Sequence, residues 1–268
     1  MVKLLKLEWS KFRKNTTIVL LLVFFALLYP SCLYFGKFLK NINNLIPINI
    51  DIYKAPYIWE YLGYAGNWMV FFFLGVLIIY TITIDVSNKT MRQSVINGLT
   101  RTEFYLSKLL IVLVISLAAT AYYTLMSFIF GWLNTDEPSI GIMLNNDWAI
   151  SRFFLMSFGY MVFAMFLAFL FRKAGLAVFF YLTYVITIEP LLKLLTNQYV
   201  MSNKYVNYFP MNVVEDLMPN PLFKMAKKVP ADFDYDLLLP FGEATVLTII
   251  YCLLFLGITY YSFLKRDI

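Results

Sequence analysis

Histidine is absent from this chain of 268 residues. That absence excludes a zinc site that uses histidine, a Ser-His-Asp triad and a haem site with a histidine ligand. Cysteine is nearly absent as well. Cys32 and Cys252 both lie inside apolar runs, where a free thiol behaves as a small apolar side chain. The clustered cysteines of a disulfide framework are missing from the sequence, so the fold must be held together by other means.

Charge is scarce too. Charged residues make up 14% of the chain and hydrophobic residues 61%, whereas a soluble domain is about one quarter charged. A surface so poor in charge requires lipid as the solvent for much of the chain. The formal net charge of +6 is then best explained by lysine and arginine at the cytoplasmic membrane face, and nucleic acid is not an expected partner.

Six runs are long and apolar enough to cross a bilayer, which takes about 20 helical residues. They are continuously apolar rather than alternating, which favours helices over barrel strands. The sequence therefore predicts an all-α polytopic membrane protein in which residues 1–268 form a single transmembrane domain. The predicted spans cover about residues 18–35, 68–84, 109–133, 153–171, 174–192 and 244–264.

The first apolar run has an alternative interpretation as a signal peptide, because residues 18–29 follow a basic segment. Tyr29-Pro30-Ser31 is a poor cleavage site, however, and the apolar run continues through Leu33-Tyr34-Phe35. A retained first span is the favoured interpretation.

Basic residues favour one orientation of the spans. Residues 1–17, 85–108, 172–173 and 265–268 carry 13 of the 22 lysines and arginines, although they are only 47 positions. Loops rich in lysine and arginine remain in the cytoplasm. Both termini are therefore predicted to be cytoplasmic.

The N-terminal residues 1–17 predict an amphipathic helix in the headgroup plane. At 100° per residue, Leu5, Trp9 and Phe12 share an apolar face, and lysines and arginines lie opposite. The alternative is a basic segment that only orients the first span.

Residues 85–108 form the one substantial cytoplasmic loop and predict two helices. Asn97-Gly98 can end a short helix that lies across the membrane face. Thr100 with Glu103 three residues later forms a capping box, which can start a second helix that continues into the third span. Such a rigid element can transmit force from a partner, although an ordinary ordered loop is the alternative.

This segment resembles the type-2 ABC transporter permease family. In that family an acidic residue ends the second span, a Gly-Thr step follows, and a Ser/Thr-Arg pair and a Ser-Lys precede the third span. Here Lys89 replaces the glycine and the acid is aspartate rather than glutamate. The resemblance implies that residues 85–108 dock on an ATPase and that residues 1–14 are the connecting helix. The lantibiotic-immunity-like branch is the most similar in size. The ATPase-coupling residues implied by the resemblance are Asp85, Thr90, Arg92, Arg101 and Lys108.

The chain has no Gly-x-x-x-x-Gly-Lys-Ser/Thr phosphate loop of its own. The resemblance therefore implies that ATP and magnesium are bound by a partner ABC ATPase subunit, with no cofactor in this chain. It also implies a second permease subunit, either identical or related, and the cytoplasmic membrane of a bacterium as the location.

The longest outer loop, residues 193–243, holds five of the ten prolines, and we expect short helices near 190–200 and 211–218. Just before it, Glu189 is the only charged residue inside a predicted span. Its neighbour Pro190 is expected to break or kink the helix. Together they predict either a polar group on a pathway or outer gate, or a solvated helix end at the interface.

The favoured function is the permease subunit of an ATP-driven exporter for an unknown peptide, lipid or other amphipathic compound. An intramembrane aspartyl enzyme needs two facing carboxylates, and Asp85 and Glu189 are predicted near opposite faces. A secondary transporter usually keeps ionisable groups near the bilayer centre, and none is predicted there. A non-transporting scaffold is the remaining alternative.

Overall fold

A computed structural model of the chain describes residues 8, 9, 12, 15–42, 52–88, 90–96, 98–199, 204–221 and 238–265. Within these residues the chain is helical, with no β-strand. Six of the helices are long and apolar enough to cross a membrane, which confirms the predicted all-α fold with six spans.

The six spans are longer than their apolar cores. They are the first span Thr16–Gly36, the second Ile58–Ser87, the third Arg101–Asn134, the fourth Ile140–Phe171, the fifth Ala174–Thr196 and the sixth Phe241–Lys265. The helix of the first span continues to Ile42. Shorter helices are the loop helix Thr90–Ile96, the outer helix Pro210–Glu215 and a 3₁₀ turn at Lys204–Tyr208.

Successive spans run in opposite directions, so the bundle has two distinct ends. The loop-helix end carries Glu8, the loop helix, the turn at Arg172-Lys173 and Lys265. The opposite end carries the connections after the first, third and fifth spans, including the outer helix. The turn at Arg172 is tight, because this residue ends the fourth span in the left-handed region with φ 56°.

The second and fourth spans form the core of the bundle. In their most apolar windows 61% and 72% of residues are buried, against 22% in the first span and 17% in both the fifth and the sixth. Close approach needs small residues here: a Cβ on Gly159 of the fourth span would meet Val214 of the outer helix at 3.1 Å. The first, fifth and sixth spans therefore leave broad apolar faces for lipid or for another protein.

The main differences from the predicted bounds lie at the helix ends. The second span begins at Ile58, ten residues before the predicted start at residue 68. The predicted run stopped at a polar stretch that includes Asn67, yet Asn67 is buried inside the bundle. The fourth span likewise extends outward past the predicted residue 153 and includes Arg152.

Of the predicted break or kink at Pro190, the break does not occur. Helix Glu189–Tyr199 follows directly on a wide π turn, Tyr184–Ile188, so the fifth span continues through the proline. Proline cannot donate the backbone hydrogen bond of a regular turn, and a π turn redistributes those bonds. The short helix expected near 190–200 is thus the end of the fifth span, whereas the outer helix Pro210–Glu215 is separate, as expected.

Candidate functional site

A cluster of buried charge lies at the loop-helix end and is centred on Lys108. Its Nζ donates a 2.8 Å hydrogen bond to Glu8 Oε2 and forms an ion pair with Asp85 Oδ2. The Lys108 side chain is fully buried, and both carboxylates are almost so. We call Glu8, Asp85, Thr90 and Lys108 the ion network.

Thr90 connects the loop helix to this network. Its hydroxyl donates a 2.7 Å hydrogen bond to Asp85 Oδ1 and also lies 3.1 Å from the Asp85 carbonyl oxygen. The ring of Phe104 lies 5.2 Å from Lys108 Nζ and covers the ammonium from the side of the third span. The network therefore joins the N-terminal segment, the end of the second span, the loop helix and the start of the third span.

A buried charge in an apolar medium is costly unless it is paired and hydrogen-bonded. Here one ammonium is matched with two carboxylates, and Thr90 supplies a further donor to one of them. Such a group can contribute little net stability and still fix geometry. Separating any partner leaves an unpaired charge in an apolar environment. The four segments are therefore held in one relative position.

The predicted capping box is present. The Thr100 side chain accepts a 3.2 Å hydrogen bond from the Glu103 amide, and Glu103 Oε2 accepts a 2.8 Å bond from the Thr100 amide. Gly98 follows the loop helix with φ 94°, a backbone conformation that is unfavourable for residues with a side chain. The turn between the loop helix and the third span is thus defined at one end by Gly98 and at the other by the capping box.

Arg101 lies outside the ion network and contacts the sixth span. Its Nη1 donates a 2.8 Å hydrogen bond to the Leu264 carbonyl oxygen, at the end of that helix. The Tyr105 hydroxyl donates a 2.9 Å bond to the Leu256 carbonyl oxygen two turns earlier. A cation at a helix C-terminus is favourable, so this contact ties the start of the third span to the sixth.

The other predicted residues of this end are placed as follows. Arg92 lies within the loop helix, but its side chain is outside the described residues, as is all of Leu5. On the predicted apolar face, Trp9 is 69% exposed and Phe12 is buried in the bundle core. Of the five implied coupling residues, the structure brings Asp85, Thr90 and Lys108 together and places Arg101 about two helical turns before Lys108 on the third span.

At the opposite end, Glu189 is buried rather than solvated, so the expectation of a solvated helix end was wrong. Its carboxylate accepts hydrogen bonds from the backbone amides of Met211, at 3.1 Å, and of Asn212. These amides belong to the first turn of the outer helix, which begins at Pro210. First-turn amides have no acceptor within their own helix. Glu189 therefore caps the outer helix from the fifth span, while Pro190 is exposed beside it.

A second set of contacts continues from this cap. Lys193 Nζ donates a 2.7 Å bond to Asn212 Oδ1, and Asn212 Nδ2 donates a 3.1 Å bond to Asp216 Oδ2. The same Asp216 oxygen accepts a 3.1 Å bond from the Leu239 amide. Burial raises the pKa of the Asp216 carboxyl to about 7, against the lowering effect of these two donors and of Lys193.

Two functional candidates were missed from the sequence. Glu8 is the single acidic residue among the basic residues of segment 1–17. Its charge, opposite to that of its neighbours, was the available signal. Arg152 lay one residue outside the predicted fourth span, but it is buried, with its guanidinium carbon 3.8 Å from the centre of the Phe241 ring. Its location shows that apolar runs underestimate the length of a helix that ends in paired polar groups.

The two predicted carboxylates do not face each other. Asp85 belongs to the ion network and Glu189 to the outer cap, at opposite ends of the bundle. The geometry of an aspartyl active site, two carboxylates sharing a proton, is therefore not formed by this pair. No group of three or more potential metal ligands occurs among the residues that the structure describes.

Comparison with known proteins gives one family. A family model described as "ABC-2 family transporter protein" matches residues 4–189. The matched range starts before Glu8 and ends at Glu189, so it includes the whole ion network, the first four spans and most of the fifth. No curated protein matches the chain.

Proposed function

The chain belongs to the ABC-2 transporter family, and from this premise we propose that it is the membrane subunit of an ATP-driven exporter whose ATPase docks on the loop helix Thr90–Ile96. Proteins of the family are multi-pass membrane permease subunits of ABC transporters and normally work with an ATPase partner. The exporter direction and the docking site are the proposal.

The ion network is the observation that carries this proposal. A partner that moves the loop helix pulls on Thr90, and Thr90 is bonded to Asp85 and through it to Lys108. Because these groups are buried and charged, they separate only at a large cost. Displacement of the loop helix is therefore passed to the second and third spans together instead of being lost in a flexible loop.

The loop helix offers a free surface for such a partner. Met91 on its inner side is buried, whereas Ile96 at its end is 82% exposed. We assign the ATPase contact to the exposed side of this helix.

The rest of the assignment follows from charge and burial. The basic residues concentrated at the loop-helix end favour a cytoplasmic location for that end and for both termini, in the membrane of a bacterial cell. The exposed apolar faces of the fifth and sixth spans leave room for a second permease subunit, identical or related. As the transported substrate we propose a peptide, a lipid or another amphipathic compound.

Co-purification tests the docking site. We expect the tagged chain, extracted from its native membrane, to carry an ATPase subunit, and Ile96→Asp to reduce the bound ATPase at least about tenfold, as loss of a central apolar contact does. Ile140→Asp is the matched control, because Ile140 is 64% exposed at the opposite end. Absence of any ATPase from the wild-type complex would overturn the proposal, and so would equal losses in both variants.

Flux measurements separate the exporter from a scaffold or a secondary transporter. In proteoliposomes that contain the complex, we expect transport of an amphipathic fluorescent peptide or lipid to stop when ATP is withheld. Transport driven by an ion gradient without ATP would indicate a secondary transporter instead.

A further inference from the structure

An apolar groove of about 400 Å³ lies between the N-terminal segment and the first three spans. Its walls include Phe25 of the first span, Leu74 of the second and Ile111 of the third. The space exists because three small side chains, Ala26, Ala118 and Ala119, face it from spans that are otherwise bulky. It opens sideways, toward the surroundings of the bundle, since its rim residues Leu22 and Val114 are exposed.

The two ends of the groove are lined by different segments. At the loop-helix end it reaches Glu8, Trp9 and Phe12 of the N-terminal segment. At its far end the Tyr122 hydroxyl donates a 2.6 Å hydrogen bond to the Ala26 carbonyl oxygen and joins the third span to the first. Along the third span it extends from Ile111 to Tyr122, about 16 Å at 1.5 Å per residue.

This length matches one leaflet of a bilayer, whose hydrocarbon core is about 15 Å deep from surface to midplane. The third span has no charged residue from 109 to 133, and the groove occupies the half of that stretch nearest the loop-helix end. The exposed Trp9 at its mouth is a residue type that prefers the headgroup level.

The volume selects among possible occupants. A helix of 10 Å diameter would need on the order of 1,300 Å³ over this length, more than the groove provides. A single hydrocarbon chain, about 4 to 5 Å wide at van der Waals contact, needs on the order of 300 Å³. A span of a second copy is therefore too large to lie inside the groove and could only cover its open side, whereas one extended chain fits inside.

We propose that the groove holds one acyl chain of a phospholipid from the surrounding bilayer, with its headgroup beside Trp9. The site stands independently of the transport function, because it requires only that the protein reside in a bilayer. It adds a link to the ion network: Glu8 lines the groove and also binds Lys108. An occupied groove thus supports the N-terminal segment in the position that completes the network.

Photolabelling tests this site. The full chain, without an ATPase, is placed in nanodiscs of phosphatidylethanolamine and phosphatidylglycerol that contain a phosphatidylcholine with a diazirine on one acyl chain. After illumination, labelled positions are mapped by mass spectrometry. We expect labelling to concentrate on the groove residues of the third span, above the level on lipid-facing residues such as Leu253, which is 65% exposed.

Two alanines of the third span give a matched pair of variants. Ala118 lines the groove, and Ala121 is also exposed but is not among the residues that line it. Ala118→Phe fills the groove and should reduce its labelling at least about fivefold, whereas Ala121→Phe should leave it within about twofold. Ala118→Leu, a smaller change, should give an intermediate reduction if the phenylalanine variant fails to fold.

Three outcomes would overturn the proposal. One is uniform labelling of all lipid-facing residues, and another is unchanged groove labelling in Ala118→Phe and Ala118→Leu. The third is labelling that appears only when an ATPase and ATP are added, which would make the occupant a transported compound. Failure of the ATPase to co-purify would affect the proposed function and leave this result unchanged.

Discussion

At the loop-helix end the buried Lys108 ammonium lies between two carboxylates, whereas at the opposite end the buried Glu189 carboxylate is held by two backbone amides of the outer helix. The first arrangement joins full charges from three different segments. The second pairs one full charge with the partial charges of a helix terminus. Both arrangements pair a buried charge with hydrogen-bond partners. They differ in which groups lose their partners when the contacts separate.

Opening the first arrangement leaves unpaired ions in an apolar environment, at a cost of several kcal/mol. Opening the second exposes one carboxylate and the first turn of a short helix, at a cost of about 1 to 2 kcal/mol, as for other helix caps. The loop-helix end therefore moves as one piece, whereas the outer helix separates from its cap at a lower cost.

Removal of Lys108 should give the largest effect. We expect Lys108→Met to lower the free energy of unfolding in detergent micelles by roughly 3 to 5 kcal/mol, because it leaves Glu8 and Asp85 buried without their cation. Lys265→Met is the control, since Lys265 is exposed at the same end. Equal stability of the two variants would mean that the network does not fix this end.

Glu189→Ala should give a smaller loss. It removes the acceptor for the Met211 and Asn212 amides, and we expect about 1 to 2 kcal/mol with faster hydrogen exchange in residues 204–221. Glu137→Ala, at an exposed site of the same end, should change neither quantity. Exchange that accelerates equally in the loop helix would contradict the local role of the cap.

Gly98→Ala should lower the free energy of unfolding by about 1 to 2 kcal/mol, through backbone strain alone. Gly98 has φ 94°, and a Cβ there meets no atom within 4 Å, so steric contact does not contribute. Gly257→Ala also has open space but lies in the sixth span with ordinary φ, and it should be neutral or slightly stabilising. If Gly98→Ala were also neutral, the turn would not depend on its left-handed backbone.

The smallest effect concerns pH at the opposite end. Burial raises the pKa of Asp216 to about 7, so the folded state holds this proton more tightly than the unfolded state does. Stability contributed by the protonated form is therefore present at low pH and is lost as pH rises through about 7. Lys193, Glu215 and Glu189 are the charged groups that face this region.

Hydrogen exchange of residues 204–221, corrected for its intrinsic pH dependence, measures this effect. We expect protection to fall by up to about tenfold between pH 6.0 and 8.5 in the wild type. Asp216→Asn cannot titrate and should remove most of that difference. A pH response of the same size in Asp216→Asn would assign the effect to another group.

The sequence predicted the membrane-crossing helices because five of the six apolar runs contain no charge, and it predicted the capping box because Thr100 and Glu103 are close along the chain. It could not show that Lys108 and Glu8 meet, since they are 100 residues apart. Nor could it show that Glu189 caps a helix that starts 21 residues later. Local pattern predicts local structure, whereas pairing of buried charges depends on the tertiary fold.

The third span runs from the ion network to the opposite end of the bundle as one regular helix. It is an unbroken α-helix of 34 residues, about 51 Å long, and it exceeds the hydrocarbon thickness by about 20 Å. A rod of this length acts as a lever: a tilt of about 5° at Thr100 displaces its far end by about 4 Å. A small push at one membrane face thus becomes a displacement as large as an atomic contact at the other.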